Sequence, residues 1–207
     1  MKTRLAITAL MIVSLSSFVF GCNPSSASAS ESCNVDQNFY GIILNGNANV
    51  YLSQGETNAI RVEGNPANTA EVTTLVSNGA LVINAGVMRN VNVYVTMTDI
   101  NLIQVNGSGA IKATSTLNSD MLLMKVSGTG IISADVRALS VGMIINGGGK
   151  IYAGGVTGDS FVKVKGSGEV ISMNLDSLKQ TAYVDEMQVD DKTVSKRKSR
   201  RALSLHQ

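Results

Sequence analysis

The sequence predicts an all-β protein whose main part is a parallel β-helix with coils of about 20 residues. Four copies of an aliphatic-x-Gly-x-Gly segment recur between residues 100 and 175. Their first glycines lie 21, 19 and 19 residues apart, a period typical of stacked repeats. Apolar and polar residues alternate on both sides of each Gly-x-Gly, which is the pattern of strands with one buried face.

The repeated glycines are expected at tight corners between two short strands. A corner calls for positive φ, which glycine adopts at low cost, and each corner must stack directly on the next coil. The eight predicted corner residues are Gly107, Gly109, Gly128, Gly130, Gly147, Gly149, Gly166 and Gly168. None of these stretches continues as a dinucleotide-binding or P-loop pattern, and each is followed by a strand instead of a helix.

Aligning the four copies identifies the inward positions, because these are apolar or small in every copy. They include Ile103, Met124, Met143 and Val162 before the corner, and Ile111, Ile132, Ile151 and Val170 after it. The next inward position holds Ala113, Ala134, Ala153 and Ser172, which predicts a tight interior with little room for a ligand.

The region before residue 99 carries weaker copies of the pattern. Leu44-Asn45-Gly46, Val62-Glu63-Gly64 and Ile83-Asn84-Ala85-Gly86 continue the series at intervals of 18, 22 and 21 residues. Asn78-Gly79 and Gln54-Gly55 are typical of hairpin turns, so this region is expected to be more irregular and partly antiparallel. We divide the body into residues 34–98 and 99–175, which could share one core, followed by an atypical charged tail at 176–207.

The N-terminus predicts export. Lys2 and Arg4 precede an apolar stretch, Leu5–Phe20, and Val19-Phe20-Gly21-Cys22 resembles the lipobox of bacterial lipoproteins. That resemblance implies a signal peptide at 1–21, lipidation of Cys22, a membrane anchor and a Ser/Ala-rich tether at 22–33. The alternatives are cleavage after Ala29, or a Cys22–Cys33 disulfide in an oxidising compartment. All three place the body outside the cytoplasm.

Composition excludes several kinds of site. The single histidine is His206, and two cysteines cannot form a four-cysteine zinc site, so we expect no metal or cofactor. Residues 34–191 hold 9 Lys/Arg against 14 Asp/Glu, a net charge of 9 − 14 = −5, which gives no footprint for nucleic acid. The six basic residues of 192–201 are expected to be a solvated terminus.

The chain resembles the DUF2807 family, described as the autotransporter adhesin head GIN domain. The resemblance covers about residues 39–175 and rests on Phe39–Val50, Gln54-Gly55, Asn78–Ile83 and the four Gly-x-Gly copies. It implies a right-handed, single-stranded β-helix, an envelope location and adhesion, and it supplies no catalytic residues. Gly168 is the last glycine, so the array is expected either to be capped by Leu178–Val189 or to stay partly open, which would favour homo-oligomers.

Three functions remain open from the sequence. The first is an adhesive or scaffolding module, outer-membrane-anchored, that binds a glycan or matrix protein. Its aromatic candidates are Tyr51, Tyr94, Tyr152, Phe161 and Tyr183, with Tyr152 foremost because its neighbours Lys112, Ser133 and Ile171 should also face outward. The alternative for Tyr152 is that it only shields its own sheet.

The second function is a polysaccharide-degrading enzyme, for which Asp120, Asp135, Asp159 and Asp176 would form an acidic ridge that could also hold calcium. Aspartates at bends usually cap turns instead. The third is binding of an envelope lipid. We predict a non-enzymatic lipoprotein of the first kind.

The lipobox generates a direct prediction. Replacing Cys22 by Ser removes the acylated thiol, so the protein should move from the membrane fraction to the soluble fraction. Immunoblotting of fractionated cells measures this. An unchanged distribution would instead favour cleavage after Ala29.

Overall fold

The computed structural model describes residues 31–34, 38–86 and 91–184. These residues form an all-β structure, a single sheet of 13 strands, with one short helix outside the sheet. The predicted signal peptide at 1–21, Cys22, the predicted tether up to residue 30 and the residues beyond 184 lie outside the described residues. In the described part, no helix has the length and apolar character needed to cross a membrane.

The strands become longer toward the C-terminus, where each one continues around bends. Their bounds, with the helix, are β1 Glu31–Asn34, β2 Gly41–Gly46, β3 Asn49–Gln54, β4 Ala59–Gly64, α1 Pro66–Thr69, β5 Thr73–Ser77, β6 Ala80–Asn84, β7 Val91–Met97, β8 Leu102–Gly107, β9 Ala110–Ala113, β10 Leu117–Gly128, β11 Ile131–Gly147, β12 Lys150–Lys165 and β13 Glu169–Val184. β1 includes three residues that the sequence analysis assigned to the tether, and β13 extends nine residues past the predicted end of the repeats at 175.

Strands β10 to β13 lie side by side in parallel, each displaced by one repeat. Val126 pairs with Ile145, Ile145 with Val164, and Val164 with Val184, which are offsets of 19, 19 and 20 residues. The inward residues of the repeat therefore stack on one another, and Met124 and Met143 are fully buried. The spacing of the glycines predicted this register.

The sheet as a whole is mixed, curled and open, so the prediction of a parallel β-helix holds only in its coarser, all-β form. β4 pairs antiparallel with β1 and with β7, and β5 pairs antiparallel with β6. All three antiparallel pairs belong to the N-terminal region, where the sequence led us to expect them. The remaining pairs of the sheet are parallel.

The first strands do not follow chain order in the sheet. β2 lies between β6 and β8, and β3 lies between β7 and β9. A ladder of asparagines marks this order: the Asn45 Nδ2 donates to Asn84 Oδ1 at 2.8 Å, and the Asn106 Nδ2 donates to Asn45 Oδ1 at 2.8 Å. Within the sheet, β2 and β3 are thus flanked on one side by β6 and β7 and on the other by β8 and β9.

This order corrects the predicted series of N-terminal coils. Gly46 pairs with Gly107, 61 residues later, and so takes a corner position in the stack. Val62-Glu63-Gly64 lies on β4, antiparallel to β7, and is not a coil of the series. The interval of 18 residues between Gly46 and Gly64 was misleading. After β3 the chain turns back, and β6 and β7 then pair with β2 and β3.

One of the two predicted hairpins is present. Asn78 and Gly79 both have positive φ, 51° and 74°, and join β5 to β6 in a tight antiparallel hairpin. The Gln54-Gly55 prediction is wrong, because β7 lies between β3 and β4. Gln54 is held elsewhere: its side-chain Nε2 donates to Asn118 O at 3.0 Å, while Gly55 N donates to Met97 O at 2.9 Å.

A single hydrophobic core spans both predicted regions. It runs from Phe39 to Leu175 in one cluster of contacting residues, so the boundary at residue 98 does not separate two cores. The small inward residues Ala134 and Ala153 are buried, with 5% and 4% of their surface exposed. Larger residues such as Ile132 and Ile151 fill the adjoining level.

The two glycines of each Gly-x-Gly meet different constraints. The first has positive φ, as at Gly128 (115°) and Gly147 (127°), and a Cβ built on Gly147 would lie 2.6 Å from Gly128 O. The second has no such φ, but a Cβ on Gly149 would lie 2.4 Å from the Val126 Cγ1 and 2.6 Å from Gly130 O. The same pattern of contacts recurs at each of the four corners.

Replacing Gly147 by Ala should destabilise the protein. An L-residue in the left-handed region costs about 1–2 kcal/mol, and the contact with Gly128 O adds to that cost. We expect the melting temperature to fall by several degrees in calorimetry or thermal circular dichroism.

The matched control is Gly148→Ala, one residue further on. Gly148 is exposed, and its Cβ would lie 3.3 Å from the nearest atom, the Ser167 Oγ, so we expect a change within about 0.5 kcal/mol. Equal effects of the two substitutions would contradict the role assigned to the corner.

Candidate ligand-binding surface

A continuous row of outward side chains crosses seven neighbouring strands, and we call it the tyrosine row. The strand register aligns its members, one from each of β4, β7, β3, β9, β11, β12 and β13. In that order they are Arg61, Tyr94, Tyr51, Lys112, Ser133, Tyr152 and Ile171. With neighbouring strands about 4.8 Å apart, the row is about 29 Å long.

The row faces solvent because its neighbours along each strand face the core. Ile151 and Ala153 are buried on either side of Tyr152, and Ile132 and Ala134 are buried on either side of Ser133. Tyr152 itself is 38% exposed. Its register neighbours are Ser133 and Ile171, with Lys112 one strand beyond Ser133, in line with the alternation seen in the sequence.

Three side chains at one end of the row form a stack. The rings of Tyr51 and Tyr94 lie nearly parallel, with centroids 5.1 Å apart and planes at 18°. The Arg61 guanidinium lies 4.2 Å from the centroid of Tyr94 and also pairs with the Glu63 carboxylate. Cation–π and aromatic contacts of this kind hold side chains in fixed orientations.

The surroundings of Tyr94 raise the pKa of its phenol above the ordinary value of 10.0. Partial burial of the phenol is the largest cause, followed by its hydrogen bond to Glu63 and the negative charge of that carboxylate. The positive charge of Arg61 acts in the opposite direction. Tyr94 therefore stays neutral and keeps its hydrogen bond throughout the neutral pH range.

A surface depression of about 390 Å³ opens at the other end of the row. Its lining is about equally polar and apolar and includes one aromatic ring, with Lys112, Ser133, Tyr152, Asp135, Gly154 and Asn174 among its residues. Glycine at position 154 leaves room for the Asp135 side chain, because a Cβ there would lie 2.2 Å from the Asp135 Oδ1. The volume is in the range of sites that bind small ligands.

These groups suit a hydroxyl-rich ligand. Lys112 donates hydrogen bonds, Asp135 accepts them, and Ser133 and Asn174 do both. Asp135 is the one acidic residue among those that line the depression, whereas glycoside hydrolysis uses a pair of carboxyl groups. In the described part of the chain, no group of three or more His, Cys, Asp or Glu side chains is placed to hold a metal ion.

The acidic ridge proposed from the sequence is not formed. Asp135 pairs with Gly154, Asp159 with Ser140 and Lys179, and Asp176 with Val156, so these acids occupy different positions of the repeat. Asp120 lies between Ser119 and Met121, whose partners are Ala138 and Ser140, and shares no position with the others. The sequence carries a signal for this difference, because the four acids are 15, 24 and 17 residues apart whereas the repeat is 19–21 residues long.

Sequence reasoning identified Tyr51, Tyr94 and Tyr152 as candidates but did not bring them together. Tyr51 and Tyr94 are neighbours because β7 pairs with β3, and Arg61 joins them because β4 pairs antiparallel with β7. That order depends on long-range packing in the N-terminal region. The remaining aromatic candidates, Phe161 and Tyr183, contact one another outside the row, with centroids 5.6 Å apart.

The raised pKa of Tyr94 predicts a pH dependence. An unfolded tyrosine loses its proton near pH 10, before folded Tyr94 does, so the stabilisation from neutral Tyr94 is complete below that pH and is lost as the pH rises through the folded pKa. Glu63→Gln should lower the pKa toward its ordinary value. Ultraviolet titration of tyrosinate, with Tyr94→Phe as the reference, measures the pKa, and thermal melting at a series of pH values measures the stability. An unchanged titration in Glu63→Gln would contradict the assignment.

Comparisons with solved structures identify chains of the same fold. A crystal structure described as a "putative adhesin" from Parabacteroides distasonis has a TM-score of 0.59 and 16% identity, covering 76% of this chain and 78% of that chain. One described as a "putative lipid binding protein" from the same species has a TM-score of 0.57 and 15% identity, covering 74% and 78%.

A third, described as a "putative adhesin" from Parabacteroides merdae, has a TM-score of 0.57 and 15% identity, covering 75% and 77%. No curated protein matches the chain. The sequence profile of DUF2807, described as "Putative auto-transporter adhesin, head GIN domain", matches residues 38–184 of the 207. The chain therefore belongs to the DUF2807 family.

Proposed function

We propose that this protein is a non-enzymatic, adhesin-like module of the cell envelope that binds an extracellular polymer, a glycan or a matrix protein, through its outward sheet face. The tyrosine row is the observation that carries the proposal. It presents aromatic, cationic and hydroxyl groups in register across seven strands, which suits many contacts with an extended ligand.

We further propose that the parallel strands β8 to β13 wind as a right-handed, single-stranded β-helix. The offsets of 19 and 20 residues between paired positions of β10 to β13 support this, as does the stacking of the corner glycines. Such a stack is rigid, because every coil is hydrogen-bonded to the next along its length. Rigidity preorganises a binding face and lowers the entropy lost on binding.

A lipid anchor on Cys22 would hold this face near the membrane. Cys22 precedes β1 by nine residues, which span at most about 30 Å when extended. The outer edge of β13 suits a scaffolding role, because in the described part of the chain β13 pairs with β12 alone and its other edge offers backbone groups to a second copy.

Lipid binding is the weaker candidate. One structural neighbour is described as a lipid-binding protein, but the interior of this chain is occupied by its own side chains. Leu122, Met124 and Ile132 have no exposed surface. Nucleic acid is a poor partner for a body whose net charge over residues 34–191 is −5 (9 − 14).

Protease treatment of intact cells tests the proposal. We expect an antibody against the body to lose its signal, and the cells to lose attachment to immobilised glycans or matrix proteins at the same time. Cells that express Cys22→Ser serve as the control for anchoring. Protection of the body until the outer membrane is breached, or attachment that survives its removal, would contradict an adhesive role.

A further inference from the structure

We propose that the tyrosine row binds one linear polysaccharide chain lengthwise, across the strands, in a site for three to four sugar units with Tyr152 as the stacking platform near one end and the ring edge and hydroxyl of Tyr51 at the other. This rests on the proposed adhesive function, because it specifies which polymer the outward face takes.

Tyr51 is held in a fixed orientation at one end of the site. Tyr94 covers its other face from β7, with ring centroids 5.1 Å apart, and Arg61 supports Tyr94 from β4. The other face of Tyr51 is directed toward β9, where its register partner Lys112 lies one strand spacing away, so a ligand along the row meets the outer edge of the Tyr51 ring and its hydroxyl. The stack holds the ring in place, so binding loses little side-chain entropy.

The spacing of the row matches a sugar polymer. Tyr152 lies three strands from Tyr51, at about 14 Å, and the strands between them carry Lys112 and Ser133. One pyranose unit of an extended β-linked chain is about as long as the distance between strands. Successive units of a chain along the row would thus meet one strand each, with the outer units near the two tyrosines.

The polar groups of the depression recognise hydroxyls. Asp135 accepts hydrogen bonds from sugar hydroxyls, and an ionised acceptor makes such bonds stronger than a neutral one. Asn174 and Ser133 add donors and acceptors on either side of Tyr152. Asp135 would repel the phosphates of a single-stranded nucleic acid, which also stacks on aromatic side chains but favours a basic groove.

The experiment measures the affinity of the purified full chain, in detergent, for linear β-1,4-linked oligomers of glucose and of N-acetylglucosamine with one to six units. Isothermal titration calorimetry gives the affinity at each length. We expect affinity to rise with length up to three or four units and then to level off. Affinity that does not depend on length, or no binding of any oligomer, would overturn the proposal.

Variants assign the binding to the row. Tyr152→Ala should lower the affinity about tenfold, as expected for the loss of one aromatic stacking contact, whereas Tyr152→Phe should retain most of it. Lys112→Ala and Asp135→Asn should each weaken binding several-fold. The controls Tyr183→Ala and Lys163→Ala, both exposed positions outside the row, should bind as the wild type does. Equal loss in the control variants would overturn the assignment.

Failure of the polysaccharide inference can be distinguished from failure of the proposed adhesive function. Cells that attach to an immobilised matrix protein and lose attachment after protease treatment would support adhesion even when no oligosaccharide binds, and only the polysaccharide inference would then fail. Thermal melting of each variant confirms that it folds. Because Tyr152 is outward and its ring is not part of the Tyr51–Tyr94 stack, its substitution should leave the melting temperature nearly unchanged.

Discussion

The close stacking of the glycine corners fixes how each coil of this protein sits on the next. At each corner the backbone of one coil lies so near the next that a Cβ would fall 2.4–2.9 Å from atoms of the preceding coil, as at Gly107, Gly128 and Gly149. Because only glycine fits, the corners of successive coils can align in only one way. This alignment determines the register of the parallel strands, and period-two alternation then sends each side chain either into the core or to the surface.

The same register that fills the core also produces the outward surface. Inside, identical repeat positions give continuous apolar columns such as Met124 and Met143. On the outside, aligned positions of successive strands form the tyrosine row. The residue types of this row differ from strand to strand and are therefore free to vary with function. At the N-terminal side, β4 and β7 extend the row beyond the repeats and contribute Arg61 and Tyr94. A structural device, the covering of β2 and β3 by later strands, thus also builds one end of the candidate site.

The repeat could be predicted from the sequence because its signals are local. The Gly-x-Gly spacing and the alternation around it were enough to place Tyr152 beside Ser133 and Ile171. The order of the N-terminal strands could not be predicted, because it depends on which strand covers which, and the intervals around Gly46 and Gly64 looked the same as those of true coils. The Gln54-Gly55 turn failed for the same reason: a hairpin signal does not reveal that β7 inserts between β3 and β4. The acids near the bends are a different case, because their intervals of 15, 24 and 17 residues already depart from the repeat and indicate different positions.

Disulfide trapping measures whether β7 lies directly beside β3, with β4 beyond it, which is the strand order that forms this end of the row. In a background with Cys22 and Cys33 replaced by Ser, cysteines at Ser53 and Thr96 should form a disulfide, because these residues are register partners whose hydroxyls lie 3.1 Å apart. Cysteines at Ser53 and Ala59 should not, because β7 separates them by two strand spacings, about 9.6 Å. Efficient trapping of Ser53 with Ala59, and none of Ser53 with Thr96, would contradict the account.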